Sequence, residues 1–294
     1  MKQIITRILK KAGKIGMGQI DLNLKPLKTD TSLQIQQCIL YQLWSNNNKV
    51  ATIEEIWNAG FSNFSQFEED GIFLFIFSKI GMGNRLCIEV GCDDGINSNT
   101  ANLLLNWGWY GVLIDGNEAA ISKGSDFYSK HKNTWLYPPK LKSAFVNAEN
   151  INELLSGEFK TTDVDLMSID IDGNDFWVWK ALNVVKPKVV VLETRIEFGE
   201  NSVVVPYDPN FCYPSPKHNE YYGSSILAMT ALAQQKGYRL IGANRYGFNA
   251  IYMRDDVGRD AFPEVSVNII LSHPRNNEKT KIFDEVKHLE FVKI

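Results

Sequence analysis

The sequence lacks several features that would assign it to a familiar class of protein. It has no run of 18 apolar residues, which argues against a membrane-spanning helix. Its four cysteines form no C-x-x-C pair and no metal-binding spacing, so reduced thiols in a cytoplasmic protein are predicted rather than a disulfide framework. A formal charge of −3 over 294 residues provides no excess of positive charge for binding nucleic acid. Internal repeats and low-complexity segments are also missing.

What remains is the composition of an ordinary folded domain, with 44% hydrophobic and 22% charged residues. We divide the chain into an N-terminal helical extension (1–64), a central domain (65–256) and a peripheral C-terminal segment (257–294). Residues 1–18 carry a basic amphipathic pattern, which is typical of a helix that caps the globule or of peripheral contact with the inner face of a membrane. Both a monomer and an oligomer are compatible with these features.

The stretch from residue 85 to 116 predicts the first strand–helix–strand unit of a nucleotide-binding sheet. An apolar run over 86–90 ends at a glycine-rich turn, a helical pattern follows, and a second apolar run ends at Asp115. Gly91 is expected to let the chain turn sharply off the strand. Gly95 is expected to let the backbone approach a ligand where a Cβ atom would collide.

The composition of this turn distinguishes between two nucleotide ligands. A dinucleotide site would use the spacing G-x-G-x-x-G, whereas residues 89–95 have the spacing E-x-G-x-x-x-G. Asp93 and Asp94 would repel a pyrophosphate but suit a cationic ligand such as a sulfonium. Asp115 is placed to accept hydrogen bonds from two ribose hydroxyls. These features predict S-adenosylmethionine as the cofactor, and a nicotinamide-dependent oxidoreductase is the alternative.

The alternation of strands and helices continues along the chain and ends in a hairpin. Apolar strands predicted over 141–146, 163–172 and 187–194 alternate with helical segments, which implies a parallel sheet with helices on both faces. Strands over 238–243 and 250–254 are joined by a short connection, which forces an antiparallel pair. Six parallel strands with an antiparallel seventh form the Rossmann-like α/β sheet of class I methyltransferases. The predicted helices cover residues 32–44, 98–107, 118–123, 151–155, 176–182 and 224–236.

Acids at the predicted carboxyl ends of strands are the centre of the chemical hypothesis. Asp170, Asp172 and Asp175 lie around Gly173, and such a group is not easily ionised in a cleft without a cation. One interpretation is a divalent metal such as Mg²⁺ held by Asp170, Asp172 and Glu193, which would orient acceptor hydroxyls. A second needs no metal, because one carboxylate removes the acceptor proton. A third is structural: Asp175 caps the following helix and Asp170 pairs with a basic residue.

A long proline-containing insert, residues 195–222, separates the fifth predicted strand from the next helix. Loops of this length inside a compact domain are usually functional. Its aromatic residues suit stacking on sugar faces, or they pack on one another. His218 in the insert is a candidate general base, and His131 is the other histidine considered for that role. The residues assigned to the acceptor are Asp175, Arg195, Tyr207, Tyr221 and Tyr222.

Several segments resemble the FkbM-related methyltransferases, in particular a branch common in surface-polysaccharide gene clusters. They are SQFEEDG (65–71), IEVGCDDG (88–95), LIDGN (113–117), LMSIDIDGNDFWVW (166–179), VPYDPNF (205–211), YYGSS (221–225) and GYRLIGANRYGFNAIYMR (237–254). The chain departs from the family's pattern at Glu68, where Gly is usual, and at residues 192–195. The resemblance implies an S-adenosylmethionine-dependent O-methyltransferase. It also implies a sugar hydroxyl of a surface polysaccharide, such as a terminal O-antigen or capsule sugar, or of its lipid-linked precursor, as acceptor.

Together these observations assign residues to roles. The acidic turn over 65–71 either caps a helix, with Ser65 and Glu68 as a capping box, or covers the methionine end of the cofactor. The turn over 147–150 either contacts adenine or is an ordinary strand-to-helix turn. The cofactor residues are Gln66, Asp70, Glu89, Gly91, Asp93, Gly95, Asp115, Asn117, Ala148, Glu149 and Asp170. The catalytic residues are Asp170, Asp172 and His218. A non-catalytic binding protein on this fold is the remaining alternative, against which the acids at successive strand ends argue.

Overall fold

A seven-stranded sheet organises the computed structural model, which describes residues 31–277 and 279–294. The basic pattern of residues 1–18 lies outside the described residues. The strands are β1 (Leu86–Val90), β2 (Tyr110–Asp115), β3 (Lys140–Ser143), β4 (Asp163–Ile169), β5 (Lys186–Glu193), β6 (Val203–Val204), β7 (Tyr238–Ala243), β8 (Asn249–Arg254) and β9 (Val292–Lys293).

The order of strands in the main sheet is β3-β2-β1-β4-β5-β8-β7, and β6 pairs with β9 in a separate ribbon. Strands β1 to β5 pair in parallel, whereas β8 is antiparallel to both β5 and β7. Strand β7 therefore runs in the same direction as β5. The predicted Rossmann-like methyltransferase sheet, with six parallel strands and an antiparallel seventh, is confirmed.

The helices connect these strands and cover both faces of the sheet. They are α1 (Thr31–Ser45), α2 (Ile53–Ala59), α3 (Glu69–Ile80), α4 (Ala101–Asn106), α5 (Glu118–Lys130), α6 (Ile151–Leu155), α7 (Asp175–Ala181), α8 (Ile226–Gln235), α9 (Val267–Leu271), α10 (Pro274–Asn277) and α11 (Phe283–Val286). Helix α4 starts three residues later than predicted, and α5 extends seven residues further than predicted. Among the described helices, none is long and apolar enough to cross a bilayer.

The central strands are buried on both faces, which explains their continuous apolar sequences. In β5, Val190 and Leu192 belong to one core cluster, whereas Val189 and Val191 belong to the cluster on the other face. This alternation follows from the two-residue period of a strand. The apolar helix α3 packs in the second cluster, where α1 and α2 lie against it.

The start of α3 differs from the predicted capping box. Helix α3 begins at Glu69, and the side chain of Glu68 makes no capping hydrogen bond. Ser65 instead pairs reciprocally with Asp70: the Asp70 N–H donates to Ser65 Oγ at 3.2 Å, and the Ser65 N–H donates to Asp70 Oδ2 at 3.0 Å. A complete capping box does occur, at the start of α2. The S-x-x-E spacing alone did not identify the helix that uses it.

The C-terminal segment, predicted only as peripheral, packs on the insert between β5 and α8. Phe198, Val203 and Tyr221 of the insert form a small third core with Val286 of the tail, which Phe291 of the tail joins from its edge. The pairing of β6 with β9 adds backbone hydrogen bonds to this contact. The insert is therefore not an isolated loop, because the tail provides the apolar surface that fixes its base.

Candidate active site

Parallel pairing brings the carboxyl ends of β1, β4 and β5 to one edge of the sheet. Val90 pairs with Ile169, and Ile169 pairs with Leu192. The residues that follow these three positions are Gly91, Asp170 and Glu193. The Asp170 N–H also donates to the Val90 carbonyl at 2.9 Å. The acids predicted from separate sequence segments are thus neighbours at this edge.

Asp170, Asp172 and Glu193 form a cluster of three carboxylates. One oxygen from each lies within 4.8 Å of the others, and all three residues are half-buried. Asp172 holds a φ angle of 55°, in the left-handed region that a residue with a Cβ atom seldom adopts. This local backbone conformation is part of what turns the chain back at the end of β4. The predicted grouping of these three acids is therefore present.

Burial and the grouping of the three acids raise the pKa of Glu193. Burial raises the pKa of Glu193 well above its ordinary value, and the charges of Asp170 and Asp172 raise it further. Like charges at such short separations cannot all persist without compensation. Burial and the neighbouring acids therefore favour a proton on Glu193 or a bound cation at the cluster, in addition to the nearby positive charge of Arg195.

Asp175 supports this cluster rather than facing an acceptor. It is 1% exposed, and its carboxylate accepts the N–H of Ile171 at 2.9 Å and of Gly173 at 3.0 Å. Burial raises the pKa of Asp175 to about 6. The assignment of Asp175 to substrate binding is wrong, because both of its oxygens fix the turn that carries Asp172. The structural interpretation, in which Asp175 caps the following helix, agrees better with these contacts, although the hydrogen bonds come from the turn before α7.

The two glycines of the first turn are required by contacts within the protein. A Cβ atom on Gly91 would lie 1.8 Å from the Asp170 carbonyl oxygen, and one on Gly95 would lie 2.6 Å from the Leu113 side chain. Both also have positive φ angles, 86° and 69°. The expected role of Gly95 in admitting a ligand is therefore corrected: it admits a core leucine.

Glu89 acts as a cap for α4 instead of as a ligand contact. It is 4% exposed, and its carboxylate accepts the N–H of Asn99 at 2.8 Å and of Thr100 at 2.9 Å. This explains why α4 begins only after Thr100. Asp94 is likewise turned inward, because it forms a 2.7 Å ion pair with Lys123. Lys123 thus compensates the negative charge of Asp94, which the sequence alone did not predict.

Asp115 keeps the position expected of a ribose acceptor. It ends β2 half-buried, and its two oxygens accept the N–H of Asp93 at 2.7 Å and of Asn117 at 2.8 Å. Each carboxylate oxygen can accept a further hydrogen bond. Asn117 is exposed and its side chain caps α5 by accepting the Ala120 N–H at 3.2 Å. Its predicted contact with the cofactor is thus replaced by a capping role.

Part of the insert crosses the edge of the sheet formed by the carboxyl ends of the parallel strands. We call residues 205–211 the strap. The Trp177 indole donates to the Val205 carbonyl at 2.9 Å, and the Asn174 amide donates to the Asp208 carbonyl at 2.8 Å. Phe211 lies directly over Gly173, where a Cβ atom would be 2.3 Å from its ring. The strap therefore begins directly after β6 and crosses the turn after β4.

Tyr207 of the strap contacts the turn over 147–150 that was assigned to adenine. The Tyr207 hydroxyl accepts the Ala148 N–H at 3.1 Å and donates to the Glu149 carboxylate. In this arrangement the Ala148 N–H and Glu149 are engaged by Tyr207. Tyr207 thus joins the strap to the turn after β3, and the assignment of Ala148 and Glu149 to the cofactor and of Tyr207 to the acceptor stays a prediction.

Arg195, two residues after Glu193, is a buried cation. It is 4% exposed, its Nη2 lies 2.5 Å from Glu220, and its guanidinium lies 4.0 Å from the centre of the Tyr222 ring. Glu193 and Asp172 both act on the pKa of Tyr222, which burial raises. Arg195 and Tyr222 therefore lie within electrostatic range of the acid cluster, and their assignment to the acceptor stays a prediction.

Three other predicted residues lie elsewhere. Tyr221 is 2% exposed, packs on Phe291 and donates its hydroxyl to the Glu290 carbonyl. Its role as a sugar platform is therefore wrong. His218 Nε2 lies 3.6 Å from Glu285 of the tail, so its role as general base has no support in the geometry. His131 follows α5, at the opposite edge of the sheet from the acids.

A buried polar group that the sequence did not reveal lies beside the cluster. Glu69 is 1% exposed, and its Oε1 accepts the side-chain N–H groups of Asn244 at 3.0 Å and Asn249 at 2.7 Å. Asn249 pairs with Glu193 across β5 and β8. The acids at 68–70, before the apolar run of α3, indicate a polar helix start. Only the tertiary structure brings Asn244 and Asn249 into contact with Glu69.

Several polar atoms around the start of α3 are buried without a hydrogen-bond partner in the described part of the chain. They include Glu69 Oε2, Asp70 Oδ1 and the side-chain oxygen of Asn249. The second oxygen of Asp70 accepts three backbone N–H groups from residues 63–65, and burial raises the pKa of Asp70 to about 6. Gln66 is exposed on the same turn. Unpartnered buried atoms of this kind are expected where water or a ligand binds.

A cleft of about 630 Å³ lies at the other edge of the sheet, where β4 and β5 begin. Its charged walls are already paired. Arg254 lies 2.7 Å from Asp163 and 2.6 Å from Asp256, and Lys236 donates to the Leu182 carbonyl at 2.8 Å. Among the described residues, the close cluster of three carboxylates lies at the carboxyl edge and not in this cleft, so the carboxyl edge remains the candidate site.

Comparisons with known proteins agree with the fold and do not extend to the site. No protein-family profile and no curated protein matches the sequence. An O-methyltransferase from Bacillus cereus in complex with SAH aligns over 77% of this chain and 91% of its own, at 12% identity and a TM-score of 0.41. The SAH-bound N-terminal domain of EvdMO1 aligns over 78% of this chain and 96% of its own, at 11% identity and a TM-score of 0.40. The bifunctional kinase-methyltransferase WbdD aligns over 58% of this chain and 34% of its own, at 17% identity and a TM-score of 0.34. Similarity at this level does not identify an activity.

The buried Glu69 yields a test of the site's electrostatics. Burial raises the pKa of Glu69, so the folded state favours its neutral form, and its stabilising contribution is lost as pH rises above the unfolded value. Glu69→Gln mimics the neutral form and keeps the acceptor for Asn244 and Asn249. We expect the variant to gain about 1–3 kcal/mol over the natural chain between pH 4 and pH 8.

The measurement is the free energy of unfolding by urea at each pH. Glu54→Gln, at an exposed position in α2, is the matched control and should show no comparable gain. A pH-independent difference between Glu69→Gln and the natural chain would contradict the burial of a neutral carboxyl group.

Proposed function

We propose that the protein is an S-adenosylmethionine-dependent O-methyltransferase that acts on a sugar hydroxyl of a surface polysaccharide or its lipid-linked precursor. The observation that carries the proposal is the placement of Asp115, the turn around Asp93 and the cluster of Asp170, Asp172 and Glu193 at one edge of this sheet. Ligands of open parallel sheets bind at this edge. The resemblance to FkbM-related enzymes supports the choice of a saccharide acceptor.

The residues of the edge fit this cofactor. When bound, S-adenosylmethionine supplies a methyl group attached to a positively charged sulfur. Asp115 would hold the ribose hydroxyls, since its half-buried oxygens retain acceptor capacity beside the Asp93 and Asn117 N–H groups. The carboxylates of the edge favour a cationic ligand. A pyrophosphate would meet the same charges unfavourably, which weakens the nicotinamide alternative.

The acid cluster provides the chemistry at the acceptor. A divalent cation would satisfy the three carboxylates and orient the acceptor hydroxyl, and oxygen ligands of this kind suit Mg²⁺. Without a cation, a carboxylate of the cluster would accept the hydroxyl proton. In both cases alignment of the acceptor contributes most, about 7–11 kcal/mol where it is complete. Arg195 and Tyr222 border the space in which this alignment would occur.

Calorimetry on the Asp115→Asn variant tests the cofactor. We expect the natural chain to bind S-adenosylmethionine and its demethylated product but not NAD. Loss of the charged acceptor should weaken binding about 10- to 100-fold, since hydrogen bonds to charged groups contribute roughly 1.5–3 kcal/mol. Glu118→Gln, at an exposed position in the first turn of α5, should leave the affinity unchanged. Binding of NAD alone would refute the proposed cofactor.

Titration with Mn²⁺ tests the cation. Because the pKa of Glu193 is raised, a cation must displace its proton, and the affinity should increase with pH while protons are released. Glu193→Gln removes a ligand and should abolish this pH dependence. Glu200→Gln, at an exposed position, should retain it. Methyl transfer that persists after complete chelation would assign the cluster to the metal-free mechanism.

The acceptor is tested in the host that carries the gene. Mass spectrometry of its surface polysaccharide, with and without the gene, should show a difference of one methyl group on a sugar. Reintroducing the Asp172→Asn variant should not restore that methyl group, whereas the natural chain should. An unchanged polysaccharide would exclude this acceptor class.

A further inference from the structure

Three consecutive large apolar side chains are exposed in the connection between α5 and β3. Trp135, Leu136 and Tyr137 expose 60%, 61% and 76% of their surface. We call these three residues the apolar tip. Exposed runs of this kind are avoided on soluble domains unless they serve binding. No element of the described chain covers them.

The tip stands on a fixed base. Thr134 is 4% exposed and donates its hydroxyl to the Tyr128 carbonyl at 2.7 Å, while the Asn133 amide donates to the Leu105 carbonyl at 2.7 Å. Within the turn, the Trp135 N–H donates to the His131 carbonyl at 2.9 Å. The backbone is thus tied to α4 and α5, and the three apolar side chains point outward by construction.

The segment that carries the tip is rich in lysine, although the whole chain carries −3. Residues 127–148 contain four lysines and no aspartate or glutamate. Two acids from outside this stretch approach it: Asp126 pairs with Lys130, and Glu158 pairs with both Lys140 and Lys142. The positive charges still outnumber the negative ones, and Lys132 is exposed beside the tip.

We infer that the apolar tip and its lysines are an anchor for an anionic lipid surface. Trp and Tyr favour the interface between water and the bilayer, and Leu136 would enter its apolar boundary. Lysines beside them are attracted to anionic headgroups. A symmetric contact with a second copy would bring the same lysines against one another, so the charge favours the lipid surface over self-association.

The position of the anchor suits an enzyme that works beside a membrane. The tip lies between the end of α5 and the start of β3, at the opposite edge of the sheet from the acid cluster. Binding through the tip would therefore leave the candidate active site open. The inference does not depend on the proposed reaction, because it rests on exposure and charge alone.

Vesicle sedimentation with the full chain tests the anchor. Vesicles of phosphatidylcholine with 30% phosphatidylserine should bind the natural protein, and vesicles of phosphatidylcholine alone should bind it at least about tenfold more weakly. A triple substitution, Trp135→Ser, Leu136→Ser and Tyr137→Ser, should lower binding to the anionic vesicles about tenfold or more. Substituting Lys130, Lys132 and Lys140 by Gln should have an effect of similar size that disappears at high salt.

The matched control is Ile35→Ser, Ile39→Ser and Leu43→Ser in α1, which are also exposed apolar residues but lie in a helix without charged residues. This control should bind vesicles like the natural chain, and all variants should have the same thermal unfolding midpoint. Unchanged vesicle binding by the tip variant would overturn the inference. So would a dimer of the natural chain, detected by analytical ultracentrifugation, that the tip substitutions dissociate.

Discussion

Mutual repulsion among Asp170, Asp172 and Glu193 is the constraint on which the active edge depends. Three carboxylate oxygens within 4.8 Å of one another favour the binding of a proton or a cation. The sheet enforces this proximity, because β4 and β5 pair in parallel and in register up to their last residues. The negative charge of the cluster therefore favours binding of a cationic ligand. Such perturbed acids are typical of functional sites.

Much of the remaining polar structure holds this cluster in place. Asp175 fixes the turn that carries Asp172, and Gly91 lets β1 approach the carbonyl of Asp170. On the neighbouring strand β1, Glu89 holds the start of α4 by accepting two backbone N–H groups. These residues belong to the motifs that resemble the methyltransferase family. Their contacts show that a motif residue often positions its neighbours and need not touch the ligand itself.

The insert and the C-terminal segment act as one unit. The tail supplies Val286 and Phe291 to the small core that holds the insert, and the strap then crosses the edge to the turn after β3, where Tyr207 bonds Ala148. Because the strap is held at both ends, the space above the acid cluster is bounded by protein on more than one side. This arrangement gives the carboxyl edge a shape that the sheet alone would not provide.

The sequence by itself determined the sheet, the first turn and the grouping of the acids. Apolar strands that alternate with helical segments predict parallel units, and the short connection between the last two strands predicts a hairpin. Residues that follow parallel strands must meet at one edge. It could not determine which way a polar side chain points. Glu89, Asp94 and Asp175 looked like ligand contacts, but each was turned inward by nearby backbone N–H groups or a lysine. The contacts of the insert with the tail, and of Glu69 with Asn244, join residues far apart in the chain. Only tertiary packing decides such contacts, because no local pattern encodes them.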